Sequence, residues 1–268
     1  MRVRDEQRTQ RAARWLVRQH LARLASRPIP AALAPRDLAQ AYAVQDAFVA
    51  LKAAQCGPVV GHKIALTSPQ MRSMVGLDTP IAGRLHARQL VGGAASVRAA
   101  DYGRLLVEFE IGFRLGASLA PRALPYRREE VAAAVAAAMP ALELADDRGA
   151  DYATLAARAY ELAADNVWNE GAVLGVPVTT WRSLDLAALH GVARINGAVV
   201  GEGRGADAMG HPLDALCWIA NHLSARGQAL RRGDIVICGS LVTSKFPAAG
   251  DVLRFDAGAL GAVELQVT

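Results

Sequence analysis

Aromatic residues are scarce in this sequence. They make up 5% of the 268 positions, whereas 52% of the residues are hydrophobic, and alanine supplies much of that share. A chain of this length and apolar content can bury a sizeable core, which excludes a disordered protein. The sequence also lacks any run of 18 apolar residues, so no membrane-spanning helix is predicted. We expect a globular protein with one large domain or two modest ones, and no membrane partner.

Cysteine is equally scarce. Cys56, Cys217 and Cys238 lie far apart and form neither a Cys-x-x-Cys motif nor an even set. This spacing is typical of buried free thiols in a reducing compartment. The arginine-rich N-terminus looks like a transit peptide, but it contains Asp5 and Glu6, and its apolar residues recur at helical spacing. The segment is therefore predicted to be an amphipathic helix, and the protein to be cytoplasmic.

The charge balance is mildly basic, with a formal net charge of +5 and a sequence pI of 9.4. Nucleic-acid-binding surfaces usually interleave basic residues with aromatic ones or carry a recognisable motif. This sequence has neither, so nucleic acid is excluded as the expected partner. A small anionic substrate is compatible with the basic charge.

Hydrophobic periodicity predicts an order of helices and strands. Helical patterns cover 8–25, 37–54, 128–138, 151–163 and 212–227. Strand patterns cover 58–66, 104–116, 141–147, a hairpin around Asn196-Gly197, and the tail after 233. Hairpins outnumber crossover helices, which favours an α+β fold with a mixed or antiparallel sheet. We predict an N-terminal helical region, 1–60, that covers one integrated mixed β core, 61–268.

Two glutamates stand out in the segment VEFEIGF. Glu108 and Glu110 are two residues apart on a predicted strand, so both carboxylates point to the same face. Two like charges this close repel unless something neutralises them, and hard oxygen ligands select Mg²⁺ or Mn²⁺. Glu143, in PALELADD, is a third acid within an apolar strand. A solvated strand face is the alternative for all three.

A single lysine interrupts the apolar segment GHKIALTS. Lys63 could meet a negative group of the substrate, or its side chain could extend to solvent. The six histidines show no spacing typical of a metal triad or a Ser-His-Asp set. The glycine-rich stretch at 201–210 follows a hairpin and lacks the strand-to-helix context of a phosphate-binding loop.

The order of these motifs over about 230 residues resembles the 2-keto-4-pentenoate hydratase / 4-oxalocrotonate decarboxylase branch of the fumarylacetoacetate hydrolase superfamily. The resemblance rests on the following segments: QAYAVQ (40–45), GHKIALTS (61–68), GLDTPIAGRL (76–85), VEFEIGFRLG (107–116), PALELADDR (140–148), ADN (164–166), GEGRGADAMGHPLDALCWIANHL (201–223), GDIVICGS (233–240) and GALGAVEL (258–265).

The resemblance implies a mixed β-roll or sandwich core, a homo-oligomer, and Mg²⁺ or Mn²⁺ held by Glu108, Glu110 and Glu143. It implies a 2-oxo or 2-hydroxydienoic acid as substrate, chelated through its C1 carboxylate and C2 oxygen. Three carboxylates and a dication leave a charge of −1, so Lys63 would supply the cation that an anionic substrate needs. Asp78, in GLDTP, would assist proton transfer.

The resemblance also implies the remaining site residues. Asp165 and Asn166 come from the ADN motif and are expected to act in catalysis. Leu66, Thr67 and Thr243 are expected to line the substrate site. This chain departs from its relatives after ADN, where they carry small residues. Trp168 would reshape the pocket or simply pack at a helix end, and Glu170 would add an acid able to act as a base.

The implied reaction is the hydration of a 2-hydroxy-2,4-dienoate to a 4-hydroxy-2-oxo acid. Decarboxylation of an oxalocrotonate-like diacid at the same site is the first alternative, with Arg114, or Lys245 in a predicted loop, as the holder of a second carboxylate, unless these are ordinary surface charges. A non-catalytic homologue, or an assembly partner in a decarboxylase–hydratase complex, is the second. A carbon–carbon hydrolase is disfavoured, because no glutamate follows His62 at a suitable spacing.

Overall fold

The protein contains six α-helices and twelve β-strands in a computed structural model that describes residues 2–268. The helices are α1 (Arg2–Leu21), α2 (Leu38–Cys56), α3 (Pro69–Val75), α4 (Arg128–Ala134), α5 (Ala159–Ala164) and α6 (Pro212–Ala225). The strands are β1 (Val59–Ala65), β2 (Ile81–His86), β3 (Leu90–Gly92), β4 (Ala95–Val97), β5 (Leu105–Leu115), β6 (Val135–Asp146), β7 (Asn169–Leu174), β8 (His190–Ile195), β9 (Ala198–Arg204), β10 (Ile235–Lys245), β11 (Val252–Asp256) and β12 (Ala262–Val267). Within this range, no helix is both long and apolar enough to cross a bilayer.

The strands form two mixed sheets. The larger has the order β2-β1-β10-β5-β6-β7-β3, and the smaller has the order β4-β12-β11-β8-β9. The pairs β1–β10, β3–β7 and β4–β12 are parallel and the other pairs are antiparallel. Alternate residues of β5 face the main core, where Phe109 meets Phe255 of β11 with ring centroids 5.7 Å apart. These sheets confirm the predicted α+β class with a mixed β core.

The N-terminal helices pack on one side of this core. Asp37 caps α2 by accepting a hydrogen bond from the backbone N–H of Gln40 at 2.8 Å, as the capping-box pattern predicts. Leu16 of α1 and Phe48 of α2 are buried in a second apolar cluster with Leu162 of α5. The division into 1–60 and 61–268 stays a prediction, since this cluster joins the two parts.

Predictions from local sequence are confirmed for a backbone turn. They are wrong where pairing between distant strands determines the secondary structure. Asn196 and Gly197 both have positive φ, 51° and 82°, which confirms the two-residue hairpin turn. The predicted helix at 128–138 is wrong beyond Ala134, because Val135 already pairs with Leu115 of β5. The predicted helix at 151–163 begins as a 3-10 helix, Tyr152–Arg158, before α5.

Candidate metal centre

Three glutamates converge on one face of the larger sheet. Glu108 and Glu143 are direct cross-strand partners on β5 and β6, and Glu110 follows two residues along the same face of β5. One carboxylate oxygen from each lies within 4.8 Å of the other two. Glu110 and Glu143 are fully buried, whereas Glu108 is half-buried. Glu108 is therefore the part of the cluster that is accessible to solvent.

The electrostatics of this cluster favour a bound cation. Burial, followed by the neighbouring charges of Glu143 and Glu108, raises the pKa of Glu110 well above its usual value. Burial also raises the pKa of Glu143, although Lys63 opposes this shift. A dication among the carboxylates would remove the cost of burying their charge. Metal affinity at such a site rises with pH, because the ligands must lose their protons.

The hydrogen bonding of the cluster fits a metal ion as well. Among residues 2–268, no donor reaches Oε1 of Glu110 or Oε2 of Glu143, although both atoms are buried. An unpaired buried acceptor costs about 1–3 kcal/mol, so these oxygens point to an external partner. Carboxylate oxygens alone are the donor set of Mg²⁺, Mn²⁺ or Ca²⁺. The residues present therefore fit a hard divalent cation.

Lys63 lies beside the glutamates and does not extend to solvent. Its side chain is 2% exposed, and Nζ lies 3.1 Å from Oε1 of Glu143. Burial alone would lower the pKa of Lys63, but the carboxylates of Glu143, Glu108 and Glu110 outweigh burial and raise it. Lys63 is therefore a fixed cation at the carboxylate cluster.

The structure adds three residues that sequence reasoning did not single out. The backbone N–H of Gly239 donates to Oε2 of Glu110 at 2.7 Å, and Oγ of Ser244 donates to Oε1 of Glu108 at 3.0 Å. Nδ2 of Asn169 donates to Oε1 of Glu143 at 3.0 Å. Only Gly239 carried a signal, since it lies within the GDIVICGS segment. Each glutamate thus receives one hydrogen bond that fixes its orientation.

Thr67 approaches this cluster through Gly239, whereas Leu66 packs in the second apolar cluster, and a substrate-lining role stays a prediction for both. Leu66 has a positive φ of 59°, and both residues are buried. The side chain of Thr67 packs against Gly239, where a Cβ atom would come within 2.4 Å of it. The loop after β1 is therefore in contact with Gly239 of β10, whose backbone N–H donates to Glu110.

Thr243 and Lys245 have different surroundings from those expected. Thr243 is exposed, and its neighbour Ser244 makes the contact with Glu108. The expectation that Lys245 lies in a loop is wrong, because it is the last residue of β10. Lys245 is the cross-strand partner of Val107, whose side chain faces away from the glutamates. The role of Thr243 stays a prediction.

Asp165 and Glu170 belong to a separate buried ion network. Asp165 contacts His20 and Arg148, both at 2.5 Å, while Glu170 contacts Lys52 at 2.7 Å and His20 at 2.7 Å. Burial raises the pKa of each acid, but the cations prevail and bring both values to about 2. A general base works best with a pKa near the operating pH. The geometry therefore favours a role in attaching α1 and α2 to the core.

Asn166 anchors a turn with an unusual backbone. Its Oδ1 accepts from the Arg84 backbone N–H at 2.7 Å, and its Nδ2 donates to the Arg84 carbonyl at 3.0 Å. Asn166, Val167 and Trp168 all have positive φ, between 52° and 59°. The half-buried Trp168 packs against the N-terminal apolar cluster and edge-on to Tyr152, at 6.1 Å between centroids. This is the packing alternative for Trp168, and its contact with substrate stays a prediction.

Asp78 and Arg114 are both exposed. Asp78 lies in the loop between α3 and β2 and forms no hydrogen bond or ion pair with any described residue. Its role in proton transfer stays a prediction. Arg114 is on the glutamate face of β5, four residues beyond Glu110, or about 13 Å at the usual rise of a strand.

Comparisons with known proteins agree with this site. Residues 65–268 match the family model described as Fumarylacetoacetate (FAA) hydrolase C-terminal. The chain is 31% identical to a 2-keto-4-pentenoate hydratase of Paraburkholderia phymatum, with 88% of each chain covered. It is 32% identical to a 2-hydroxyhexa-2,4-dienoate hydratase of Comamonas testosteroni, with 85% of each covered. A solved structure of 4-oxalocrotonate decarboxylase from Pseudomonas putida G7, complexed with magnesium and adipate, superposes with a TM-score of 0.88 at 25% identity, over 98% of each chain.

Proposed function

The chain belongs to the fumarylacetoacetate hydrolase family, and we propose that it is a metal-dependent hydratase that adds water to a 2-hydroxy-2,4-dienoate to give a 4-hydroxy-2-oxo acid. The observation that carries the proposal is the cluster of Glu108, Glu110 and Glu143 with Lys63 beside it. Several relatives at 31–32% identity carry hydratase names and share most of the chain. The proposed enzyme is therefore a carbon–oxygen lyase.

A divalent cation at the three glutamates, Mg²⁺ or Mn²⁺, would stabilise the negative charge that develops on the C2 oxygen of the substrate. Lys63 binds the C1 carboxylate at the same end of the molecule, since it is the buried cation in contact with the cluster. Thr67 lies against Gly239, whose backbone N–H donates to Glu110. These residues would fix the acid end of the substrate. The diene would then extend toward Glu108, the partly exposed glutamate of the cluster.

The proton transfers follow from the conjugation of the substrate. The C2 hydroxyl loses its proton and C5 gains one, which gives a 2-oxo-3-enoate, and water then adds its hydroxyl at C4 and a proton at C3. Asp78, exposed at the loop before β2, is the proposed carrier of these protons. Asp165 and Glu170 hold the N-terminal helices through His20 and Lys52, and their role in catalysis stays a prediction.

Decarboxylation of an oxalocrotonate-like diacid is the second candidate, favoured by the structural match over 98% of each chain. A diacid needs a further cation for its distant carboxylate. Lys245 faces away from the glutamates and Arg114 is exposed at the far end of β5. Arg104 is bound to Asp147 at 2.7 Å. These contacts favour a substrate with one carboxylate, and hence the hydratase.

The test is to incubate the protein and Mg²⁺ or Mn²⁺ with 2-hydroxypenta-2,4-dienoate and, separately, with 4-oxalocrotonate. We expect loss of the dienol absorbance, a 4-hydroxy-2-oxo acid by NMR, and no CO₂ from either acid. Release of CO₂ from the diacid without a hydrated product would reject the hydratase in favour of the decarboxylase. Binding of oxalate without turnover of either acid would indicate a non-catalytic homologue.

Glu108→Gln, Glu110→Gln and Glu143→Gln are expected to lower turnover by at least about a hundredfold, since each removes a charged metal ligand. Glu202→Gln is the matched control, because Glu202 is an exposed strand glutamate that contacts only His190 in the described structure. Chelation with EDTA should abolish turnover in the wild type, and added Mg²⁺ should restore it. Turnover that survives both treatments would contradict a metal-dependent reaction.

Assembly and location are also proposals. We infer a homo-oligomer, and a complex with a decarboxylase or hydratase partner, from the resemblance to this family. Light scattering of the pure protein tests the former, and co-purification with a coexpressed partner enzyme tests the latter. A cytoplasmic location is inferred from the free cysteines at 56, 217 and 238.

A further inference from the structure

In the side-chain amide of Asn169, the nitrogen is hydrogen-bonded, whereas the oxygen has no partner among the described residues. Its side chain is buried, with the residue 1% exposed. Nδ2 donates to Oε1 of Glu143 at 3.0 Å and to the carbonyl of Gly171 at 3.2 Å. Both partners are acceptors, so they fix which end of the amide is nitrogen. Oδ1 is buried, and no donor among residues 2–268 reaches it.

A buried acceptor is costly to leave unpaired, and this one shares an amide group with the donor to Glu143. Two other unpaired buried acceptors, on Glu110 and Glu143, belong to the same cluster. The glutamate oxygens suit a cation. An uncharged amide oxygen suits a hydrogen-bond donor, and the proposed ligands bring one as a hydroxyl group or a water molecule.

The backbone before Asn169 indicates that its position is enforced. Val167 is β-branched and has a φ of 52°, within three successive left-handed residues. Such backbone conformations are unfavourable and persist only where the surroundings determine them. Here Asn166 fixes the turn by two hydrogen bonds to the backbone of Arg84. The turn delivers Asn169 to the first position of β7, against Glu143.

We propose that Oδ1 of Asn169 accepts a hydrogen bond from a hydroxyl donor bound at the carboxylate cluster. The donor is either the C2 hydroxyl of the organic acid or a water molecule beside it. If it is the C2 hydroxyl, Asn169 favours the 2-hydroxy form of the substrate over the 2-oxo form. This inference rests on the proposed function, because it deepens the choice of substrate at that same site.

The experiment compares a hydroxy acid with its keto counterpart, which lacks the donor. Lactate and pyruvate both chelate through C1 and C2, and their dissociation constants are measured by calorimetry on protein saturated with Mg²⁺. Asn169→Leu removes both the donor and the acceptor at similar size. Asn169→Asp removes the donor to Glu143 and keeps an acceptor oxygen. If the donor is the C2 hydroxyl, the wild type is expected to bind lactate more tightly than pyruvate, and Asn169→Asp preserves this preference.

If the donor is the C2 hydroxyl, Asn169→Leu weakens the binding of lactate about tenfold more than the binding of pyruvate, which is the effect of losing one hydrogen bond. If the donor is a water molecule, Asn169→Leu weakens the binding of both acids equally, and Asn169→Asp weakens the binding of neither. Either result supports the proposal and identifies the donor. Equally weakened binding of both acids in both variants would overturn it, since Asn169 would then act only through Nδ2 on Glu143. Unchanged binding of both acids to Asn169→Leu would also overturn it.

Two precautions keep the outcomes separate. Thermal melts with Mg²⁺ establish that each variant is folded, and Asn169→Ala replaces the leucine variant if that variant does not fold. Failure of the proposed function would appear as a wild type that binds both acids without hydrating any dienoate. Failure of this inference alone would appear as a wild type that hydrates the dienoate while Asn169→Leu binds both acids as tightly as the wild type, or while both variants weaken both acids equally.

Discussion

Nζ of Lys63 lies 3.1 Å from Oε1 of Glu143, and the two side chains are 2% and 0% exposed. This ion pair joins β1 to β6, and the strands β10 and β5 lie between them in the larger sheet. A lysine and a carboxylate buried at this depth require each other, because either alone would be an uncompensated charge. The pair also places a cation where an anionic substrate would meet the glutamates.

Lys63→Met is expected to weaken oxalate binding to the Mg²⁺-loaded protein by about 10–100-fold, the usual effect of losing a charge-assisted hydrogen bond. Without metal, the variant should also be less stable, by about 3 kcal/mol, because three carboxylates then share a site with no cation. Calorimetry and urea unfolding measure the two effects. Lys245→Met is the matched control, since Lys245 faces away from the cluster. Equal oxalate affinity in Lys63→Met and wild type would refute the role of Lys63.

Gly239→Ala should disrupt the metal centre. Gly239 has a φ of 96°, and a Cβ atom there would come within 2.4 Å of the Thr67 side chain, so the strand must move and withdraw the N–H that Glu110 accepts. We expect at least a tenfold loss of Mn²⁺ affinity, measured by electron paramagnetic resonance. Gly250→Ala has nearly the same φ of 97° with no atom within 4 Å, and it isolates the backbone cost. Wild-type affinity in Gly239→Ala would show that this N–H is dispensable.

His20 should make the attachment of α1 dependent on pH. Burial alone lowers its pKa, but its hydrogen-bonded partners Asp165 and Glu170 outweigh burial and the nearby Arg148, and raise the pKa above 6.5. The stabilisation is therefore complete below about pH 6.5 and is lost as the pH rises through the raised value. Removing a buried charged partner by His20→Gln should cost about 1–3 kcal/mol at pH 6 and less at higher pH.

Urea unfolding between pH 6 and 9 measures this difference. His190→Gln is the control, because His190 pairs with Glu202 at an exposed site where both side chains are 53% exposed. A constant difference between wild type and His20→Gln across the range would refute a charged His20 in the folded protein.

Asn166→Ala should release the left-handed turn. The substitution leaves the buried N–H and C=O of Arg84 without the side-chain partners they have in the structure, which costs about 2–4 kcal/mol for the two groups. The position of Asn169 should be lost with the turn, so we expect lower turnover together with the lower stability. Asn166→Asp keeps the acceptor and loses the donor, and should fall between alanine and wild type. A stable, fully active Asn166→Ala would show that the turn holds without Asn166.

The residues that local chemistry constrains were predictable. The alternation of VEFEIGF required Glu108 and Glu110 to share a face, and the Asp37–Gln40 pair and the Asn196-Gly197 turn predicted a helix start and a hairpin. The helix predicted to 138 failed because the alanine-rich segment after Ala134 gains more from pairing with β5 than from its helical propensity. Propensity differences between residues are small beside a full row of cross-strand hydrogen bonds.

The sequence by itself determined that Glu108 and Glu110 share one face of a strand, because side chains alternate along a strand, and its resemblance to a known family implied that a cation and an anionic ligand meet there. Only the tertiary structure decided which residues share that site. Glu143 is opposite Glu108 because β5 and β6 pair in that register, and Asn169 reaches Glu143 because a strained turn begins β7 there. The same packing places Asp165 in contact with His20 and Arg148, and it places Glu170 in contact with His20 and Lys52. Contacts between residues distant in sequence depend on strand register and helix docking, and no local pattern encodes either.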